Sequence, residues 1–161
     1  MRVVVADATP IHYLILIGAA EVLPHIFDKI HLPVEVRDEL ICEAAPQQVR
    51  NWMREAPSWL EIHAAVASPT DSALLLLDSC ERAAIVLAES IRADLLLIDE
   101  RMGAKLALKR GLTVTGTLGV LDLASRAGLL RLQDVFPRLQ KTNFRYPPSL
   151  IEKLIQEEKE R

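Results

Sequence analysis

The stretch of sequence that decides the fold is SCERAAIVLAESIRADLLLIDERM, residues 79–102. Its first part places one acidic and four apolar residues on one helix face at spacings of three and four: Glu81, Ala84, Ile85, Ala88 and Ile91. Residues 95–98 are an apolar run bracketed by Asp94 and Asp99, which predicts a buried strand. A helix that leads into a buried strand is typical of parallel α/β sheets.

The rest of the chain repeats this alternation of short strands and longer helices. We predict further strands at residues 3–5, 29–32, 60–63 and 113–115. We predict further helices at residues 9–17, 21–27, 33–42, 47–54, 71–77, 102–109, 118–126, 134–140 and 148–159. Right-handed crossovers would place helices on both faces of the sheet. The expected fold class is α/β, with three α/β/α layers around a central parallel sheet of about four or five strands.

Length and composition indicate one globular domain over residues 1–161. Half of the residues are hydrophobic and the net charge is −3, which excludes a disordered chain. The longest N-terminal apolar run, residues 11–20, is too short to cross a membrane, and no signal peptide is recognisable. Cys42 and Cys80 fit neither a disulfide framework nor a zinc motif, so we expect two buried, reduced thiols and a cytoplasmic protein.

The charges are unevenly distributed along the chain. Residues 1–100 hold 7 basic and 16 acidic side chains, whereas residues 101–161 hold 12 basic and 6 acidic ones. Basic groups gathered on one face would attract a polyanion, but solvated helices explain the same asymmetry. The four histidines are scattered, without the spacing of a metal site. No Gly-rich phosphate-binding loop is present in the sequence.

Four carboxylates are expected at one edge of the predicted sheet. Asp7 and Asp99 each follow a strand, and Glu81 begins the helix that leads into residues 95–98. Glu39 lies about two turns into the helix that follows the second strand, and the helix period turns Glu35 away from this edge. Because ligands of parallel α/β sheets bind at the carboxyl ends of the strands, these acids are the candidate site.

Each of these acids also has a purely structural interpretation. Asp7 and Asp99 could cap the helices that follow them. Asp78 and Glu81 have the spacing of a capping box, and Glu39 could be an ordinary surface carboxylate. Four carboxylates in one cleft would repel one another and titrate as a unit. Divalent cations relieve that repulsion, and ligation by oxygen alone suits Mg²⁺ or Mn²⁺.

Four segments together resemble the PIN domain family. They are VVVADATPIHYL at residues 3–14, LPVEVRDEL at 32–40, SCERAAIVLAESIRADLLLIDERMGAKLA at 79–107 and GLTVTGTLGVLDLASRAGLL at 111–130. The resemblance covers about residues 2–140 and points to small bacterial and archaeal PIN proteins with a Gly-Glu-x-x-Ala-Ile motif, which include VapC-like toxins. Ala8 and Cys80 depart from that pattern, where a hydroxyl residue and a glycine are usual.

The resemblance implies a ribonuclease that depends on Mg²⁺ or Mn²⁺. Carried over by motif, its catalytic and metal-binding acids would be Asp7, Glu39, Glu81 and Asp99. Small PIN proteins of this kind are often toxins held inactive by a cognate antitoxin protein, and they commonly form homodimers. We therefore expect hydrolysis of phosphodiester bonds in single-stranded RNA, leaving 5′-phosphate and 3′-hydroxyl ends. A metal-dependent nuclease that acts on DNA is an alternative.

Other residues could support this activity. Thr9 could orient a carboxylate or a water molecule, or simply begin its helix. Arg101 and Lys105, four residues apart, could contact RNA phosphates or belong to a solvated helix face. The apolar stripe of the helix at 148–159 could dock a partner or a second copy, or pack on its own domain. The chain could therefore also be a PIN-fold binding or regulatory module with little or no nuclease activity.

Overall fold

A five-stranded parallel sheet lies at the centre of the computed structural model, which describes residues 2–67 and 71–161. The strand order is β3-β2-β1-β4-β5. The strands are β1 (Val4–Ala6), β2 (Ile30–Pro33), β3 (Leu60–His63), β4 (Leu95–Leu97) and β5 (Val114–Thr115). The helices are α1 (Ala8–Leu16), α2 (Val22–Phe27), α3 (Val34–Ile41), α4 (Gln47–Arg54), α5 (Ser79–Ser90), α6 (Arg101–Lys109), α7 (Thr117–Arg126), α8 (Leu132–Gln140) and α9 (Pro148–Lys159).

Helices cover both faces of the sheet, so the expected three-layer α/β/α architecture is confirmed. Alternate strand residues point to opposite faces and fill two separate apolar cores. Val5 and Leu96 pack with Ile85 of α5 and Ala107 of α6 in the smaller core. The larger core lies on the other face and includes these buried residues: Val4, Ala6, Leu14, Leu32, Leu97, Leu121 and Phe136.

The order in which the chain lays down its strands creates a crevice at the centre of the sheet. From β1 the chain adds β2 and β3 on one side, then returns to place β4 and β5 on the other side of β1. The connections that leave β1 and β4 therefore diverge from two neighbouring strands. Ligands of open α/β sheets bind at such a reversal point, outside the carboxyl ends of the strands.

Most predicted elements are present, and their bounds shift by at most about two residues. The exception is the helix predicted at residues 71–77, which is a 3-10 turn over Leu74–Leu76 in the described part. Here the Asp71 side chain accepts a hydrogen bond from Ala73 N at 2.9 Å, and such local bonds compete with helix formation. The expectation of two buried thiols is also wrong for Cys42, which is exposed, whereas Cys80 is buried.

The C-terminal helix α9 packs on its own domain. Ile151 is buried, and Leu150 and Leu154 pack against the larger core. The Glu158 carboxylate accepts hydrogen bonds from the Ser125 hydroxyl and, at 2.7 Å, from Leu132 N, which fastens α9 to α7 and α8. A docking or dimerisation role for α9 stays a prediction. Across residues 2–67 and 71–161, the helices are all too short or too polar to cross a membrane.

Candidate functional site

The two central strands bring Asp7 and Asp99 to the same edge of the sheet. β1 and β4 pair in parallel with Ala6 opposite Leu97, and Asp7 N donates to the Leu97 carbonyl at 2.9 Å. Asp7 therefore leaves β1 one residue past its end, and Asp99 follows two residues after β4 ends. The strand order places both carboxylates in the crevice between the connections that leave β1 and β4, where the chain crosses from one side of β1 to the other.

Asp7 is a buried carboxylate whose negative charge is not balanced locally. Its residue is only 3% exposed, and its Oδ1 has no hydrogen-bond partner among the residues that the structure describes. The pKa of Asp7 is raised to about 7, chiefly by burial and also by the charges of Asp78, Glu39 and Asp99, against one backbone hydrogen bond from Ala8 that lowers it. Asp7 occupies the N-cap position of α1 but makes no capping hydrogen bond through its side chain, so the capping interpretation is wrong.

Asp99 is held in place by the start of α7. Thr117 N donates to Asp99 Oδ1 at 2.8 Å, and the Thr117 hydroxyl donates to Oδ2 at 2.6 Å. Gly116 allows this close approach, because a Cβ there would overlap Asp99 Oδ1. Burial raises the pKa of Asp99, and the two bonds from Thr117 act against that rise. Glu100, not Asp99, caps α6 by accepting from Met102 N at 3.2 Å.

Glu81 and Asp78 form a second pair of acids at the start of α5. Asp78 Oδ1 accepts from Glu81 N at 2.8 Å, so the predicted capping role of Asp78 is confirmed. Glu81 is buried, and its pKa is raised by burial, by a hydrogen bond with the Asp78 side chain and by the charges of Asp78, Asp7 and Glu100. Gly103 of α6 lies against Glu81, since a Cβ there would sit 3.7 Å from Glu81 Cβ.

Glu39 reaches the same region from α3, although its residue is exposed. Burial raises the pKa of Glu39, and the charge of Asp78 adds to the rise, while the Cys80 thiol acts against it through a hydrogen bond. Burial and the neighbouring Glu39, Asp7 and Asp78 raise the pKa of Cys80 to about 12, so the thiol stays protonated. Glu35 is half-buried, and its Oε1 has no hydrogen-bond partner among the described residues, but it is not among the charges that raise the pKa values of Asp7, Glu81 or Asp99.

The acids form a loose cluster whose donor set fits a hard divalent cation. Asp7, Glu39, Glu81 and Asp99 all have pKa values raised by burial, and Asp78, missed by the sequence analysis as a site residue, adds its charge to three of them. Within the described ranges, no three of these carboxylates bring ligand atoms within 4.8 Å of one another. A bound divalent cation would have to draw these oxygens closer together.

A groove of about 470 Å³ opens beside Asp99, and it carries basic and aromatic side chains. Tyr13 donates to Asn143 Oδ1 at 2.6 Å, and its ring meets Phe144 edge-on with centroids 4.9 Å apart. Arg101, Arg145 and Thr9, which the sequence analysis named as a supporting residue, also line the groove. The complete lining is Thr9, Tyr13, Asp99, Glu100, Arg101, Asn143, Phe144 and Arg145. Sequence analysis missed the residues at 143–145, which lie more than 40 positions from Asp99.

Lys105 lies at a different place from Arg101, although both belong to α6. It lines a cavity of about 280 Å³ with Leu76, Leu77, Met102 and other residues, next to Lys109. Arg101 therefore joins Asp99 in the groove, whereas Lys105 borders an apolar surface. A contact between Lys105 and RNA stays a prediction that this placement does not support.

A family model described as DUF3368, a PIN domain, matches residues 3–160. The chain therefore belongs to the PIN domain family. PIN domains are in general nucleases, and they typically use divalent metal ions. A search among curated proteins found no match. The family assignment agrees with the parallel five-stranded sheet and with the acids gathered at its carboxyl edge.

Proposed function

We propose that the protein is a Mg²⁺- or Mn²⁺-dependent endoribonuclease that cuts single-stranded RNA. The observation that carries this proposal is the Asp7 carboxylate, which is buried, has an oxygen without a partner in the described residues and lies among other carboxylates. Such a group destabilises a fold unless a cation balances it. The adjoining groove places Arg101 and Arg145 beside the acids, and guanidinium groups can contact RNA phosphates.

Asp7 and Asp99 would be the main ligands of the ion. Glu39 and Glu81 would either bind the ion as further ligands or hold water molecules beside it. A bound Mg²⁺ or Mn²⁺ ion would supply Lewis-acid chemistry to phosphodiester hydrolysis. The chain itself fixes Asp99 through the two hydrogen bonds from Thr117. Such partners of a ligating carboxylate orient it and tune its affinity for the metal.

The groove beside Asp99 suits a single strand better than a duplex. Arg101 and Arg145 offer guanidinium groups to phosphate oxygens, which they can contact in a bidentate manner. Tyr13 and Phe144 also line the groove, and unpaired bases could pack against the parts of these rings that other side chains leave open, since Phe144 already stacks on Tyr146. Bases in a duplex are already stacked and paired, so these rings would have no free base face to bind.

We further propose that the nuclease is the toxin of a toxin-antitoxin pair. Several large apolar side chains on the 3-10 turn and on α6 are well exposed: Leu75 at 67%, Leu76 at 74%, Met102 at 56% and Leu108 at 58%. An apolar surface of this kind is typical of a protein interface. Lys105 and Lys109 beside it would favour an acidic partner. A cognate antitoxin or a second copy of the chain could bind there.

Cleavage of labelled single-stranded RNA by the purified chain tests the nuclease. We expect Mg²⁺- or Mn²⁺-dependent cutting that EDTA stops, with 5′-phosphate and 3′-hydroxyl products, and little cutting of a DNA of the same sequence. Asp99→Asn should abolish it, whereas Asp71→Asn, which changes an acid outside the site, should not. Equal cleavage of DNA would favour the DNA nuclease, and no cleavage of any RNA would favour the binding module.

Expression in a bacterial host tests the toxin role separately. Wild-type protein should stop growth, and Asp99→Asn protein produced at the same level should not. Growth arrest by both proteins would contradict a toxin that acts through this site, and normal growth with both would contradict the toxin role.

A further inference from the structure

Two histidines that are far apart in sequence meet on the edge of the sheet opposite β5. His31 of β2 and His63 of β3 lie 32 residues apart, and the prediction that the histidines are scattered is wrong for this pair. Parallel pairing puts His31 beside Glu61 and Pro33 beside His63. Because alternate residues of a strand share a face, the side chains of His31, Glu61 and His63 emerge together.

We infer that His31, Glu61 and His63 form a second cation site, separate from the acids, for a transition-metal ion of the Zn²⁺ type. His31 Nδ1 lies 2.8 Å from His63 Nε2 and 3.8 Å from Glu61 Oε2. One ligand atom from each residue can be chosen so that all three lie within 4.8 Å of one another. Metal–ligand bonds of about 2.0–2.2 Å therefore require only small rotations of these side chains.

The donor types select the class of ion. Two imidazoles with one carboxylate are a known ligand set for Zn²⁺, with a fourth position left for water. Imidazole suits Zn²⁺, Co²⁺ and Ni²⁺, whereas Mg²⁺ and Mn²⁺ prefer oxygen alone. The histidine site should therefore favour Zn²⁺ over Mg²⁺ and Mn²⁺, whereas the acids at the carboxyl edge offer oxygen only.

The surroundings leave His31 in the form that binds metal. Burial lowers the pKa of His31, and the neighbouring His63 lowers it further, so the ring is neutral near pH 7. Among the described residues, Lys29 also places a charge beside the site, with its Nζ 3.7 Å from Glu61 Oε2. The Lys29 charge opposes a cation, and the long, exposed lysine side chain can swing away when an ion binds.

The ion would join the edge strand β3 to β2. It would bind the folded chain, in which the three ligands are assembled, more tightly than the unfolded chain. Zn²⁺ should therefore raise the melting temperature of the protein, and this effect requires neither RNA nor nuclease activity. The Zn²⁺ site can therefore be tested whether or not the protein is a nuclease.

Calorimetric titration of Zn²⁺ into tag-free protein tests the inference, with visible absorbance of bound Co²⁺ as a second readout. We expect one ion per chain, and a loss of affinity of at least tenfold in both His31→Gln and His63→Gln. The exposed His25 of α2 provides the matched control, so His25→Gln should bind like wild type. Asp99→Asn should also keep the site, whereas Lys29→Gln should bind Zn²⁺ several-fold more tightly.

Two results would overturn the inference. One is equal Zn²⁺ affinity in wild type and in both histidine variants. The other is a loss of Zn²⁺ binding in Asp99→Asn as large as in the histidine variants, which would place the ion at the acids. Should a histidine variant fail to fold, Glu61→Gln changes a half-exposed ligand and decides the same question.

Discussion

Two groups of carboxylates in this molecule differ in whether a basic side chain neutralises their charge. Asp71 and Glu89 both meet Arg110, whose Nη2 lies 2.8 Å from Glu89 Oε1. A backbone hydrogen bond from Ala73 lowers the pKa of Asp71, and the Arg110 hydrogen bond lowers it further. At the carboxyl edge, burial and neighbouring acids raise the pKa of Asp7 to about 7.

The difference is that one group of acids is neutralised by a basic side chain, whereas the acids of the candidate site are not. The Arg110 group contains its own cation. In residues 2–67 and 71–161, no salt bridge joins Asp7, Glu81 or Asp99 to a basic side chain. Buried carboxylates of the second kind cost stability, and perturbed groups of this sort cluster at functional sites. Under the proposed function, the cation that balances them comes from solution.

The largest expected effect is on RNA cleavage. Asp7→Asn and Asp99→Asn should each reduce the rate at least about 100-fold, because each removes a ligand of the proposed ion. Asp71→Asn should change it less than about twofold, since Asp71 belongs to the Arg110 group. Rates measured on one labelled RNA at saturating Mn²⁺ check this contrast. Similar losses in all three variants would remove the distinction between the two groups.

The next effect is on stability as a function of pH. The folded pKa of Asp7 is about 7 and its ordinary value is 3.8, so between these values the folded state binds more protons than the unfolded state. The free energy of unfolding of the metal-free protein should therefore fall as pH rises from about 4 to 7. The shift of Asp7 spans about 3 pKa units, so at about 1.4 kcal/mol per unit its full contribution is on the order of 4 kcal/mol, of which about half falls between pH 5.5 and pH 8.

Urea unfolding in EDTA at pH 5.5 and pH 8 measures this dependence. Asp7→Asn should make it shallower, with the remainder coming from the raised pKa values of Glu39, Glu81 and Asp99. The variant should be the more stable protein at pH 8, because the amide has no charge to bury. Adding Mn²⁺ at pH 8 should stabilise wild type and leave Asp7→Asn nearly unchanged. An identical pH dependence in the two proteins would show that Asp7 is not the group that titrates.

A smaller effect, on Mn²⁺ affinity, should follow from removing one of the hydrogen bonds that orient Asp99. Thr117→Val removes the hydroxyl that donates to Asp99 Oδ2 but keeps the backbone donor. We expect Mn²⁺ affinity to fall about tenfold, in the range usual for groups that orient a ligand. Thr117→Ser keeps a hydroxyl and should bind within about twofold of wild type. Unequal stability of the two variants with equal Mn²⁺ affinity would assign Thr117 a packing role instead.

The smallest effect, on thermal stability, should come from a change in the Arg110 group. Arg110→Ala leaves Asp71 and Glu89 without their cation, in a place that water can reach. A partly exposed ion pair is worth little, so we expect the melting temperature to fall by roughly 2–4 °C. Mn²⁺ affinity should stay unchanged. A loss of Mn²⁺ binding in Arg110→Ala would mean that the two groups are coupled.

The sequence was sufficient to predict the strands and the acids that directly follow them. Asp7 and Asp99 each come at the end of an apolar run, and a parallel sheet brings such ends to one edge. Thr117 was not predictable, because it reaches Asp99 only through the pairing of β5 with β4, in which Ile98 N donates to the Thr115 carbonyl at 2.9 Å. Strand order is a long-range property that local periodicity does not contain.

Contacts between side chains of different elements were the other feature that the sequence could not predict. Asp78 has the local pattern of a helix cap, and its charge acts on Glu39 only because α3 packs against α5. His31 and His63 form a pair only through the register of β2 with β3. The helix period favoured Glu39 among the acids of this segment, and the resemblance to PIN domains gave the same residue.

Calorimetric titration of Mn²⁺ tests the central claim most directly, since it needs no RNA. It compares wild type with Asp7→Asn, Asp99→Asn and the control Asp71→Asn, and a repeat in His63→Gln protein excludes the histidine site from the signal. We predict that wild type and Asp71→Asn bind Mn²⁺ and that Asp7→Asn and Asp99→Asn lose most of the affinity while staying folded. No binding by wild type up to tens of millimolar, or equal binding by all four proteins, would contradict the claim that these acids form one metal site.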